Sequence, residues 1–286
     1  MIPAQLARIM NKVTLKRLII GEFSVSRLLK STLIIYALVA IWAVFGTDRL
    51  IFLPPSASYT QSDDFIQLRA TNGDQITALY LPNAQAQYTI LYSHGNAEDL
   101  GLTRRRLQQL QKMGFSVLAY DYPGYGMSTG KPTVKGTYHA INAAYDYLTQ
   151  TLNRPPHNII VYGRSVGGGP SVDLASRQPV GGLILESSFV SIFRVVTRIP
   201  LFPFDKFPNL AKIQQVRSPV LILHGNHDQV IPFWHGQQLY AKANQAKIAF
   251  WVEGADHNDL LEVAGQRYQE TLQKFTEIVA KYHRSN

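Results

Sequence analysis

From Thr32 to Phe45 the chain reads TLIIYALVAIWAVF without one charged residue, and Leu28 and Leu29 extend this apolar stretch upstream across Lys30 and Ser31. Apolar side chains cover the whole circumference of a helix drawn through Leu28–Gly46, whereas a soluble surface helix carries a single stripe. About 20 such residues cross a hydrocarbon layer, so 28–46 is expected to be a transmembrane signal anchor, with a buried core helix and a cleaved signal peptide, for which Gly46-Thr47-Asp48 is a poor site, as the rival readings. After Pro54-Pro55 the pattern changes. Phe65–Arg69 and Gln75–Leu81 read as short strands around the turn residues Asn72-Gly73-Asp74, the signature of a hairpin. From there compact apolar runs alternate with helix-length periodic segments. Strands are expected at Tyr88–Ser93, Val117–Tyr120, Asn158–Tyr162, Gly182–Leu185, Val220–Leu223 and Ile248–Val252. Helices are expected at Leu100–Met113, Val134–Leu152, Val166–Arg177 and Asp259–Tyr282. Strands that are continuously apolar belong to a parallel sheet covered on both faces, an α/β architecture. Ligands of such sheets gather at the carboxyl ends of the strands.

Composition narrows the classes. A chain of 286 residues that is 46% hydrophobic supports a large core. The absence of cysteine excludes disulfides, thiolate metal sites and a cysteine nucleophile. The formal net charge of +9 is concentrated before the hairpin, where Arg8, Lys12, Lys16, Arg17, Arg27, Lys30 and Arg49 face only Glu22 and Asp48. No basic stripe interleaved with aromatics remains in the rest, which argues against nucleic acid. Positive charge upstream of an anchor places the amino terminus, a basic segment over 1–27, in the cytoplasm and the chain beyond residue 50 on the opposite side. The apolar spacing of Ile2, Leu6, Ile9, Met10, Val13 and Leu15 also suits a helix lying on an anionic leaflet.

Three strand ends carry chemistry. The run NIIVYGRSVGGGP at 158–170 takes a strand into Gly163-Arg164-Ser165-Val166-Gly167 and then into a helix. A serine hydroxyl is lifted clear of a sheet on such a turn, flanking glycines remove colliding Cβ atoms, and the helix amino end faces a developing oxyanion. Strand 220–223 leads to Asp228 and strand 248–252 to His257. Nucleophile Ser165, acid Asp228 and base His257 then follow in the order serine, aspartate, histidine. Glu186, after another strand, is the rival acid, and Asp256 is badly directed to orient its neighbour. His94 and His224 are expected to brace loops and His227 to line the site. His139, His157, His235 and His283 are expected to be solvated. Backbone amides of Asn96, after the strand ending at Ser93, and of Val166 are the candidate oxyanion donors. Because these are amides, substituting Asn96 is not expected to abolish the hole. The loop DYPGYGMSTGKP at 121–132 lacks phosphate-loop spacing and is expected to wall the site. A segment rich in phenylalanine, about 187–217, suits a short lid, covering an acyl chain or packing on the domain. Neither a metal-ligand set nor a cofactor motif is expected, and nothing here defines an oligomeric state.

The set SHGNAEDLG, DYPGYGMSTGKPT, GRSVGGGP, LHGNHDQVIP and GADHNDL resembles the single-pass, membrane-anchored α/β-hydrolase-domain proteins over roughly residues 40–280. Some members of that group are protein palmitoyl-thioesterases, and bacterial relatives are described as serine aminopeptidase-like or lysophospholipase-like. The resemblance implies an α/β-hydrolase fold over 51–286, with Ser165, Asp228 and His257 as triad and Asn96 and Val166 as oxyanion donors. It also implies hydrolysis of a small acyl ester or thioester without a cofactor. One departure stands out: there is no cysteine-rich amino terminus, and an apolar helix occupies its place. A peptidase acting on short peptides and a catalytically silent, membrane-tethered binding module are the competing readings.

Overall fold

The computed structural model describes residues 24–60, 62, 64–244 and 246–285. The basic segment 1–27 lies outside them up to residue 23, as does the expected surface helix. The described chain falls into two compact units, divided between Thr47 and Asp48. The first contains one helix, α1 (Val25–Phe45), long and apolar enough to span a membrane. Its amino end is capped by Ser24, whose hydroxyl accepts from the Arg27 amide at 3.2 Å, so the helix begins three residues before the expected span.

The second unit opens with a short helix, α2 (Asp48–Ile51), then the hairpin β1 (Phe65–Arg69) and β2 (Gln75–Leu81). There follow β3 (Thr89–Ser93), α3 (Leu100–Lys112), β4 (Ser116–Tyr120), α4 (Val134–Asp146) and β5 (Ile159–Arg164). Next come α5 (Gly168–Arg177), β6 (Gly182–Glu186), the short helices α6 (Ile192–Thr197) and α7 (Asn209–Lys212), and β7 (Val220–Gly225). The chain ends with α8 (Trp234–Lys242), β8 (Lys247–Val252), α9 (Leu260–Ala264) and α10 (Gln266–Ser285). The eight strands form one sheet in the order β1-β2-β4-β3-β5-β6-β7-β8. Pairing is antiparallel for β1–β2 and β2–β4 and parallel for every other pair.

Strand period and burial agree. Leu91, Leu118, Val161, Leu183 and Ile222 pack on one face with Ile141 of α4 and Val172 of α5. Their neighbours Ile90, Val117, Ile160, Ile184 and Leu221 pack on the other with Leu107 of α3 and Phe275 of α10. Because β3 to β7 are buried on both faces, their sequences show no polar alternation. Two expected helices are shorter than their apolar period suggests. α4 gives way at Tyr147–Thr151 to a π-turn, and the last helix is interrupted at Gly265, whose φ is +55°.

Candidate active site

The site is built on loops at the carboxyl ends of β3, β5, β7 and β8, on the parallel side of the sheet. β5 runs into a single 3-10 turn, Ser165–Gly167, and then α5. Ser165 adopts φ +51°, a left-handed conformation that non-glycine residues take only when the surroundings impose it. The surroundings here are tight. A Cβ on Gly163 would meet the Gly167 carbonyl oxygen at 2.5 Å, and a Cβ on Gly167 would meet that of Ser93 at 2.1 Å. The two glycines let the elbow fold onto itself and onto the end of β3.

Ser165 Oγ lies 3.0 Å from His257 Nε2, and His257 Nδ1 lies 2.8 Å from Asp228 Oδ2. The second Asp228 oxygen accepts from the amides of Val230 at 2.9 Å and Ile231 at 2.7 Å. Burial raises the Asp228 pKa, but hydrogen bonds from His224 and His257 and the Ile231 amide outweigh it and hold the carboxyl well below the usual range. Asp228 is therefore the acceptor in its contact with His257 Nδ1, and Nε2 of the same ring faces the Ser165 hydroxyl. All three groups are nearly buried. Asp256 instead accepts from the amides of Gln229 and His257, at 2.8 and 2.7 Å, and so shapes the loop rather than the imidazole.

Glu186 is fully buried and committed elsewhere. It pairs with Arg106 at 2.7 Å and Arg164 at 3.3 Å, and accepts from Tyr268 at 2.7 Å and from the Tyr162 hydroxyl. Burial raises its pKa, yet Arg106 and Arg164 prevail and hold it at about 2. Sequence reasoning passed over Arg164, beside Ser165. Its buried guanidinium donates to Glu98 at 2.6 Å, to Asn258 Oδ1 at 2.7 Å and to the His257 carbonyl at 3.3 Å. Glu98 in turn accepts from the Gly95 amide at 2.8 Å. One cation thus ties the end of β5 to the loops bearing His257 and Asn96.

Of the two candidate oxyanion amides, Val166 sits at the amino end of the turn leading into α5, where amides lack intrahelical acceptors. The Asn96 amide belongs to the Gly95–Asn96 peptide plane, whose carbonyl lies 2.7 Å from His94 Nδ1. A planar trans peptide points its N–H away from its C=O, so pinning the carbonyl aims the amide. Burial opposes charge on His94, but Asp121, 3.3 Å from its Nε2, and the Gly95 carbonyl raise its pKa. The 121–132 loop does more than pack as backbone, because the Tyr122 hydroxyl donates to the His94 carbonyl at 2.6 Å and the Tyr125 hydroxyl to Asn96 Oδ1 at 2.6 Å. His224 braces the Asp228 loop through the Ile231 carbonyl at 2.8 Å. His227 is exposed. His235 corrects the expectation of a solvated side chain: it is fully buried, accepts from the Val190 amide at 3.2 Å, and burial, with His224 and Arg194, depresses its pKa to about 3.

The 187–217 segment divides. Phe189, Val190 and Phe207 are buried in the core, whereas Val196, Ile199 and Leu201 are exposed, Val196 by 85%.

A mostly parallel sheet of this order, with a serine on a sharp strand-to-helix turn, defines an α/β hydrolase. Residues 84–207 match the family described as "Serine aminopeptidase, S33". Alpha/beta hydrolase domain-containing protein 17B of Homo sapiens is 38% identical over 261 residues, covering 80% of this chain and 89% of that protein. Protein 17C of Mus musculus is 44% identical over 194 residues, covering 66% and 60%. The chain belongs to the alpha/beta hydrolase domain-containing protein 17 family. Among solved structures, an esterase of Pyrococcus furiosus superposes with a TM-score of 0.67 at 16% identity, covering 79% of this chain and 97% of that one. An alpha-beta hydrolase of Vibrio vulnificus superposes with a TM-score of 0.62 at 22% identity, covering 73% and 80%. At those identities the two structures speak to the fold alone.

Proposed function

We propose that this hydrolase cleaves carboxylic esters or thioesters of acyl groups through a covalent intermediate on Ser165, with His257 as base, Asp228 as its orienting acid, and the amides of Asn96 and Val166 as oxyanion donors. The observation that carries the reading is the unbroken relay of 3.0 and 2.8 Å from hydroxyl to imidazole to carboxylate. As Ser165 Oγ bonds to the acyl carbon, its proton passes to His257 Nε2 and the carbonyl electrons move onto oxygen, opposite the two amides. Collapse of the tetrahedral species breaks the bond to the alcohol or thiol, which leaves with the His257 proton. Water then repeats the sequence on the acyl-enzyme: it gives a proton to His257, bonds to the acyl carbon, and Ser165 leaves as a hydroxyl. Asp228 remains a carboxylate throughout and stabilises the imidazolium.

An acyl substrate is supported by the exposed Val196, Ile199 and Leu201 in the lid segment. Peptidase action on short peptides is the second reading, raised by the description of the matching family. A substrate ammonium needs an uncommitted carboxylate, and Glu98 and Glu186 are already paired with arginines. A panel of acyl esters against aminoacyl amides separates the two readings.

α1 is read as a single-pass anchor, with residues 1–27 cytoplasmic and the catalytic domain on the other side. Protease treatment of intact cells against opened cells tests that topology, and a domain digested only after opening contradicts it. Labelling by a fluorophosphonate tests the chemistry. Wild type is expected to label and Ser165→Ala not to; equal labelling of both removes Ser165 from the mechanism.

A further inference from the structure

Both polar atoms of the Asn96 side chain are in use, and its two main partners lie in a segment far away in sequence. Asn96 Nδ2 donates to the Ile51 carbonyl at 2.6 Å, and Asn96 Oδ1 accepts from the Leu53 amide at 3.0 Å. A carboxamide is a peptide group on a short stem, and here it pairs with the C=O of one residue and the N–H of the second residue along, as a neighbouring strand would. Aspartate has no donor for Ile51, and alanine has neither group. The same Oδ1 accepts from the Tyr125 hydroxyl at 2.6 Å and from the Ala97 amide at 3.1 Å, so the side chain also binds its own loop. The Leu53 amide additionally donates to the Tyr125 hydroxyl at 3.0 Å, closing a three-membered ring of contacts. Burial raises the Tyr125 pKa, which keeps the phenol protonated as a donor.

The partner segment is itself fixed. Asp48 pairs with Lys206 at 2.5 Å, and Phe52 is buried with its ring edge-on to Phe207 at 6.2 Å. Asp48–Leu53 is thus a strap, hydrogen-bonded to the loop after β3 and packed on the root of the lid segment. On its other side the same loop is held by Glu98 and Arg164. Ala97 takes φ +54°, a conformation that persists only where contacts impose it.

We infer that the Asn96 carboxamide is a positioning residue, which, clamped to the strap Asp48–Leu53, holds its own backbone amide at the oxyanion position. The inference rests on the acyl-serine reading and adds to it a second, side-chain role for Asn96. It also makes the six residues Asp48–Leu53, which open the second unit, part of the catalytic apparatus. An oxyanion donor removed outright costs roughly 100- to 1,000-fold in kcat. A donor left in place but displaced costs less, on the order of 10- to 100-fold.

The test uses the full chain and three variants that break the clamp from different sides: Asn96→Ala, Leu53→Pro, which deletes the strap amide, and Tyr125→Phe. Rates are expressed per Ser165 titrated by a fluorophosphonate, so misfolded protein drops out of the comparison. Asn96→Ala and Leu53→Pro are expected to lose roughly 10- to 100-fold in kcat with KM within about threefold. Inhibition by a trifluoromethyl ketone, which presents an oxyanion, is expected to weaken in parallel. If Asn96→Ala does not fold, Leu53→Pro and Tyr125→Phe carry the decision, with Tyr125→Phe the milder. Variants that keep wild-type kcat and trifluoromethyl ketone affinity per titrated site overturn the inference while leaving the acyl-serine reading intact. Turnover that survives Ser165→Ala overturns both.

Discussion

The loops around Ser165 and the lid segment 187–217 rise from the same edge of the sheet and are built on opposite principles. Around Ser165 the contacts are directional and largely shielded: Asp228 accepts from His257 and the Val230 and Ile231 amides, Arg164 donates to Glu98, Asn258 and the His257 carbonyl, and Asn96 spans two segments. In the lid segment the helices are six and four residues long, and Val196, Ile199 and Leu201 face solvent. Directional contacts among buried groups have one good arrangement, because an unpaired polar group there is costly. Apolar contacts are interchangeable. On the proposed acyl-serine reading, the chemistry is set by the first region and acyl preference by the second, where it can change without disturbing the relay.

The largest expected effect breaks the first region directly. His257→Ala should lower kcat by roughly four to six orders of magnitude, because triad members act as a unit. Steady-state kinetics with a p-nitrophenyl ester checks this, and a loss below tenfold would remove His257 from the role of base. Next comes the cation behind it. Arg164→Ala leaves Glu98 and Glu186 short of a partner and should destabilise by about 3–5 kcal/mol, read by denaturant unfolding. Arg164→Lys retains charge but not the planar fork reaching Glu98, Asn258 and His257, so it should fold better than alanine and still lose kcat.

A third prediction concerns acid. Glu186 is held at about 2 in the folded chain, below its ordinary 4.5. Its contribution to stability is complete above the ordinary value and is lost as pH falls toward 2. Thermal unfolding should therefore drop over that window. Glu186→Gln should flatten this drop while lowering stability at neutral pH, and an unchanged acid profile would show that the Arg106–Glu186 pairing is not the source. The smallest effect belongs to the lid. Ile199→Ser or Val196→Ser should leave stability within about 0.5 kcal/mol and turnover of a short ester unchanged. The ratio of long- to short-chain ester turnover should fall by a few-fold, as expected for pocket methylenes.

What was legible in the sequence follows the same division. The strands β3 to β7 could be read because burial on both faces leaves apolar runs, and Ser165, Asp228 and His257 because each sits just past one. The hairpin β1–β2 was marked by its turn residues. The Arg164 clamp was not legible, since its partners Glu98 and Asn258 lie 66 and 94 residues away, and a lone arginine or glutamate usually marks a solvated surface. The side-chain contacts of Asn96 were not legible either, for its partners Ile51 and Leu53 precede the hairpin in a stretch without period. His235 was placed in solvent because a helical histidine is ordinarily exposed. The short lid helices fall below the length at which an apolar period is visible.

The central claim is that acyl transfer passes through Ser165. It is tested most directly by rapid acid quenching of the full-length protein during turnover of a p-nitrophenyl long-chain ester, followed by peptide mass analysis. The account predicts an initial burst of nitrophenol and an acyl mass on the peptide containing Ser165, both absent in Ser165→Ala. An acyl group on a different residue, or undiminished turnover by Ser165→Ala, would contradict it.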